Sequence, residues 1–144
     1  MPQDLLVVNE KPKRFYDEDI IYKNVSVGRM TYGFENLPSD TLKSIKSIGR
    51  FCSIAHSVTV VGMHHPLEWV TTNPILYLSN RGLVTEDITL PEKTRAKNRP
   101  ITIGHDVWIG EGVRIMRSVK LGHGCIIATG SIVTKNVPAY AIVA

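Results

Sequence analysis

Ile101 to Pro138 reads ITIGHDVWIGEGVRIMRSVKLGHGCIIATGSIVTKNVP, a stretch that repeats itself every six residues. Ile103, Ile109, Ile115, Leu121, Ile127 and Val133 hold one register position without a miss, although only 40 of the 144 residues are Ile, Leu or Val. At a fixed register, chance would give such a run about once in two thousand trials. Val107, Val113, Val119, Cys125, Ser131 and Val137 form a second column, confined to small side chains.

A period of six matches neither a helix at 3.6 nor a hairpin at 2. It matches an all-β fold, a parallel β-helix whose coils are short flat faces joined by turns and stack about 4.8 Å apart as parallel strands. The large aliphatic fills the axis and the small residue fits beside it near a corner. Gly104, Gly110 and Gly122 follow three of the aliphatics, where the absence of Cβ relieves crowding as the chain turns.

Upstream, Leu42, Ile48, Ile54 and Val60 share the spacing of six, with Gly49 after the second and Cys52 and Val58 in the small column. This predicts one coil of about eighteen residues. Residues 1–24 form a mixed N-terminal segment, with Asp4 to Val8 as a strand candidate and Lys11 to Asp19 as a polar connection. Val27 and Gly28 start a hexad, and Phe34 to Asp40 reads as a loop rich in turn formers. One domain with coils over 25–62 and 101–138 follows, interrupted where the period fails at residues 63–100.

That interruption begins MHHPLEWVTTNPILYLSN, too rich in Trp, His, Tyr and Pro for a disordered linker, and reads as an ordered loop extruded from the coil. Its end carries Lys93, Arg95, Lys97 and Arg99 on alternate positions, a solvated loop edge or a phosphate contact.

The chain has a net charge of +4 and a pI near 9.2, which favours anionic partners. Its cations are dispersed, with no aromatic-rich basic stripe, which argues against nucleic acid. Cys52 and Cys125 both fall in the small column, so a buried apolar role is expected over a disulfide or metal pair, in keeping with a reducing cytoplasm. Leu5 to Val8, flanked by Asp4 and Glu10, is too short and too acidic for a signal peptide or a direct membrane insertion.

With the hexads in place, five segments carry a resemblance: VGRMTYG (Val27 to Gly33), IGRFCSI (Ile48 to Ile54), HPLEWVTTNP (His65 to Pro74), IGHDVWIG (Ile103 to Gly110) and GSIVTK (Gly130 to Lys135). The chain resembles the hexapeptide-repeat acyltransferases, in the xenobiotic-acetyltransferase-like branch with chloramphenicol, streptogramin and sugar O-acetyltransferases. The resemblance implies a left-handed hand for the β-helix, against the usual rule for parallel crossovers. It also implies a homotrimer with active sites between neighbouring subunits, acetyl-CoA as donor and no metal. Two departures stand out: His64 replaces the Asn usual before the loop histidine, and the chain stops at Ala144, where the family continues into a Gly-x-Pro-Ala turn. A truncated C-terminus is the expectation.

Acetyl transfer to a hydroxyl needs a base, oxyanion stabilisation and two substrates held together. Imidazole titrates near neutral pH. His65 matches the family's catalytic position, with His64 as its local competitor. Glu68 reads as a solvated acid rather than an orienting partner, Trp69 as a packing anchor, and Thr71, Thr72 and Asn73 as an acceptor-pocket wall or a turn before Pro74. For the donor, the resemblance carries over Trp108, Glu111 through its main chain, Thr129, Thr134 and Lys135; Trp108 also fits a ring covering a trimer seam. His56, His105 and His123 read as exposed corner residues.

The expected acceptor is a small molecule or sugar, foremost a sugar of a surface polysaccharide or its precursor, with an antibiotic hydroxyl as the alternative. A γ-carbonic-anhydrase-like zinc site expects two histidines five residues apart, a spacing that His56, His64, His65, His105 and His123 do not offer. A trimeric scaffold without catalysis is the remaining class.

Overall fold

The computed structural model describes residues 6–8 and 16–144, which fall into two compact units: one ending at Val61 and resuming over Pro100–Ala144, the other Gly62–Arg99. Asp4 and Leu5 of the expected first strand, and Lys11 to Phe15 of the polar connection, lie outside the described residues.

Among its described residues the first unit holds thirteen short strands in three sheets. The first sheet takes β1 (Leu6–Val8), β2 (Ile20–Tyr22), β3 (Val25–Val27) and β4 (Ile45–Ile48). Next along the chain, β5 (Ser53–Ile54) enters the second sheet and β6 (Thr59–Val61) the third. After residue 100, β7 (Ile101–Ile103), β8 (Trp108–Ile109) and β9 (Arg114–Met116) take the three sheets in the same turn. So do β10 (Lys120–Leu121), β11 (Ile126–Ile127) and β12 (Ile132–Val133), and β13 (Ile142–Val143) closes the second sheet. The pairings along this path are parallel, and Ile103 faces Leu121, one eighteen-residue circuit later. The hairpin β2–β3 is antiparallel, and its two-residue turn, Lys23 and Asn24, takes the positive φ values (46° and 68°) that suit a tight hairpin.

The hexad maps onto this path one residue per face. Ile48, Ile103 and Leu121 point inward from the first sheet, Ile54, Ile109 and Ile127 from the second, and Val60, Ile115 and Val133 from the third. All but half-buried Val60 are at most 5% exposed. Each such side chain contributes on the order of 1.5–3 kcal/mol by leaving water. The small column is buried as well, from Cys52 and Val58 through Val107, Val113, Val119 and Cys125 to Ser131 and Val137.

Corners keep the backbone paired. Phe51, Asp106 and Gly124 at one corner and Ser57, Gly112 and Gly130 at the next have φ between 55° and 75°. Several of them donate to the neighbouring circuit: Asp106 N–H to Arg50 O, Gly124 to His105 O, Gly112 to His56 O and Gly130 to Glu111 O. No turn of the coil therefore strands these donors. Gly104 is required by stacking rather than by φ, because a Cβ there would lie 2.8 Å from the His123 nitrogen.

Two readings from the sequence are corrected. Leu42 keeps the spacing of six but is not a coil residue: it ends the short helix α1 (Ser39–Leu42), which starts at the end of the segment read as a loop. Phe34, Leu37 and Leu42 are buried in the core, Phe34 edge-on to Tyr22 at 5.2 Å. Thr41 Oγ1 accepts the Val60 N–H, so α1 covers the open edge of the third sheet. The second concerns the element that carries the alternate cations, which are all exposed, as a solvated edge would be. Residues 92–97 form helix α2 (Glu92–Lys97), where alternate positions point to different sides, and Arg95 and Arg99 both pair with Glu92 while Lys93 pairs with Glu68.

The second unit contains α2 and two single 3-10 turns, Pro74–Leu76 and Ser79–Arg81. Its two ends are tied by Asn98, whose side chain accepts the His64 N–H (2.6 Å) and donates to the His64 carbonyl (3.2 Å). Asp87 accepts from both the N–H and the hydroxyl of Ser79, and these bonds hold its carboxyl below the usual range. Among the described residues no helix is long and apolar enough to cross a membrane.

Candidate active site

His65 is exposed on the second unit, and its Nδ1 is 2.8 Å from the Thr72 carbonyl oxygen. A carbonyl only accepts, so Nδ1 carries the hydrogen and the Nε2 lone pair is left available. The carbonyl is presented by a braced segment. Thr71 Oγ1 accepts the Asn73 N–H, and Asn73 Oδ1 accepts the Ile75 N–H, capping the turn that starts at Pro74. Thr71 and Asn73 thus serve the turn, and Thr72 serves His65 through its main chain.

Tyr77, absent from the residues singled out by the sequence, is buried with its hydroxyl 2.8 Å from the same Nδ1. Its ring meets His65 edge-on at 6.5 Å and Trp69 at 5.8 Å, so Trp69 packs within the loop as expected. The sequence signal for Tyr77 was an aromatic within the apolar run Ile75 to Leu78.

A small cavity of about 80 Å³ beside His65 is lined by His64, Leu67, Glu68, Lys93 and Lys97 among others. Glu68 is engaged by the Lys93 ammonium, whose hydrogen bond draws the carboxyl below its usual range and raises the lysine. That pair leaves Glu68 a solvated acid rather than an imidazole partner.

The remaining candidates lie on the first unit. Trp108, 56% exposed, stands in one outward column of the second sheet with Tyr32, Ser53, Ile126 and Ile142. Glu111 and Thr129 meet at one corner: the Glu111 carbonyl accepts the Gly130 N–H at 2.8 Å, and the Thr129 nitrogen would be 2.6 Å from a Cβ on Gly110. Thr134 and Lys135 follow β12 and are exposed.

His105 and His123 are exposed at their corners and also structural, which the sequence did not disclose. His105 Nδ1 accepts the Arg50 N–H, and His123 Nδ1 accepts the His105 N–H. Both imidazoles border a groove of about 570 Å³ along the outer face of the first sheet, with Ser26, Ser47, Thr102 and Lys120. The Arg50 guanidinium in it is held by Asp19. Among the described residues, no group of three or more His, Cys, Asp or Glu is placed to hold a metal.

Residues 100–135 match the family described as bacterial transferase hexapeptide (six repeats). The chain is 28% identical over 142 residues to a chloramphenicol acetyltransferase of Escherichia coli, covering 88% of this chain and 66% of that one. It is 38% identical over 97 residues to a probable macrolide acetyltransferase of Lysinibacillus sphaericus (66% and 52%), and 49% identical over 45 residues to the galactoside O-acetyltransferase of Escherichia coli K12 (31% and 22%). The chain belongs to the hexapeptide-repeat acyltransferases. Within them it falls in the branch of xenobiotic and sugar acetyltransferases. It spans about half to two thirds of the length of the chloramphenicol and macrolide relatives named here.

Proposed function

We propose that this protein is an acetyl-CoA-dependent O-acetyltransferase, that its parallel coil is the left-handed β-helix of the family, and that it works as a homotrimer in the cytoplasm. The observation that carries the reading is the His65 Nδ1 set against the Thr72 carbonyl, which leaves Nε2 free to accept a proton. Nε2 takes the proton of the acceptor hydroxyl as its oxygen attacks the acetyl carbonyl. The C–S bond breaks as the C–O bond forms, and the proton passes from Nε2 to the departing thiol.

The first unit fits a long, partly apolar donor. Exposed Trp108 beside Ile126 offers an apolar strip for the pantetheine arm, while Thr129, Thr134, Lys135 and the Glu111 main chain offer polar groups and a cation for the phosphates. The outward column of Tyr32, Trp108 and Ile142, 47%, 56% and 74% exposed, is surface that a trimer would cover. No metal takes part in this reading.

The acceptor is a sugar hydroxyl of a surface polysaccharide or its precursor, a reading supported by a relative named for a galactoside. The second reading, an antibiotic hydroxyl, is supported by the relatives named for chloramphenicol and a macrolide. Thiol release from acetyl-CoA with sugar, nucleotide-sugar, chloramphenicol and macrolide acceptors separates the two. His65→Ala should lower the acceptor-dependent rate by about 10²–10⁴-fold. Equal rates in parent and variant would remove His65 from the chemistry.

A further inference from the structure

We propose that Tyr77 is a positioning residue for His65, whose hydroxyl, together with the Thr72 carbonyl, fixes the tautomer and the ring orientation of the imidazole; the proposal rests on the reading of His65 as the base. Two oxygens converge on one nitrogen. Nδ1 is 2.8 Å from Thr72 O and 2.8 Å from Tyr77 Oη. A bare Nδ1 would turn its lone pair toward the carbonyl lone pairs at that distance, so the arrangement is satisfied with the hydrogen on Nδ1 and both oxygens accepting it. Only this tautomer leaves Nε2 able to take a proton.

The two oxygens differ in surroundings. The Thr72 bond is exposed, where water competes for the same donor, whereas the Tyr77 bond is partly buried. Tyr77 itself is 5% exposed and fixed from both sides of its backbone: its N–H donates to Pro74 O and its carbonyl accepts the Ile88 N–H, each at 3.0 Å. Trp69 packs on its ring at 80°. The phenol oxygen is thus a rigid point, and a half-turn of the imidazole about its Cβ–Cγ bond would replace Nδ1 by a carbon facing both oxygens. Without the hydroxyl, a single solvent-exposed bond holds the ring, and both the orientation and the tautomer become mixed.

Tyr77→Phe tests this, because it keeps the packed ring and removes one oxygen. Turnover and ¹⁵N imidazole spectra are recorded on parent, Tyr77→Phe and His65→Ala. The expected result is a parent His65 signal with Nδ1 protonated, and in Tyr77→Phe a mixed-tautomer signal, a kcat lower by about tenfold and an unchanged KM for acetyl-CoA. A parent His65 protonated on Nε2 overturns the proposal without any variant. Parent-like kcat and spectrum in Tyr77→Phe, with turnover lost in His65→Ala, overturn the role of Tyr77 and leave His65 as base. Parent-like turnover in His65→Ala overturns both.

Discussion

The backbone N–H of His105 donates to Nδ1 of His123 across 2.8 Å, and the two rings stack with centroids 4.9 Å apart and planes 9° from parallel. The spacing is that of neighbouring strands in a sheet, so the imidazoles repeat the ladder outside the strands. Because Nδ1 accepts, each ring carries its hydrogen on Nε2. The same device joins the Arg50 N–H to His105.

Replacing the acceptor should therefore loosen the corner. His123→Ala removes the partner of the His105 N–H and one face of the stack. The expected loss is about 0.5–1.5 kcal/mol, moderated by water reaching the exposed site. Urea unfolding measures it, and an unchanged midpoint would mean that water replaces the ring nitrogen fully.

How far the sequence disclosed this molecule follows from where each partner comes from. Ile109 and Val107 were legible because burial repeats with the chain, and both are at most 1% exposed. Leu42 obeyed the same arithmetic yet sits in α1, since spacing reports burial and not the element that provides it. The cations Lys93 to Arg99 read as a solvated edge and are exposed, but the helix α2 and the acceptors Glu68 and Glu92 that pair with Lys93, Arg95 and Arg99 left no pattern in the spacing. His105 and His123 share a register position eighteen residues apart, but spacing reports only that they stack, not that each Nδ1 accepts a backbone N–H, and nothing in the spacing of Tyr77 and His65 marks their contact.

The two thiols should be silent in the folded protein. Cys52 and Cys125 are both free and fully buried, and burial pushes both thiols above their ordinary range. Cys52 Sγ also donates to the Gly104 carbonyl at 3.1 Å. A chromogenic disulfide reagent should find no reactive thiol under native conditions and both after denaturation. Rapid native labelling of either would contradict the packed small column.

Asp19 should give the first unit part of its acid sensitivity. Its carboxyl is held below the usual range chiefly by the Arg50 guanidinium, then by the Arg29 N–H. A lowered folded pKa means the contribution is complete above the unfolded value, about 4, and is lost as pH falls through the folded value. Asp19→Asn should therefore be less stable than the parent at pH 6, and the gap should narrow as pH falls below about 4. Since the pair is solvent-accessible, the gap should also narrow in high salt. Thermal melts at pH 6 and pH 3 check the sign, and a gap that widens on acidification would refute it.

Trp108 stands on the outer face of the coil, where its proposed donor role can be tested apart from folding. Its neighbour Ile109 is fully buried, whereas the indole lies outside the core between Ser53 and Ile126 in the outward column. Trp108→Ala should thus leave unfolding within about 0.5 kcal/mol of the parent, while Ile109→Ala should cost about 2–5 kcal/mol. With folding intact, calorimetric titration with acetyl-CoA reads the donor role directly: weaker binding by a variant that keeps the parent's assembly state supports the strip proposed for the pantetheine arm. Loss of the proposed trimer with no loss of intrinsic affinity would instead assign the ring to the subunit seam. The exposed column carries both possibilities because one apolar face serves a ligand arm or a second chain by the same physics, the removal of apolar area from water.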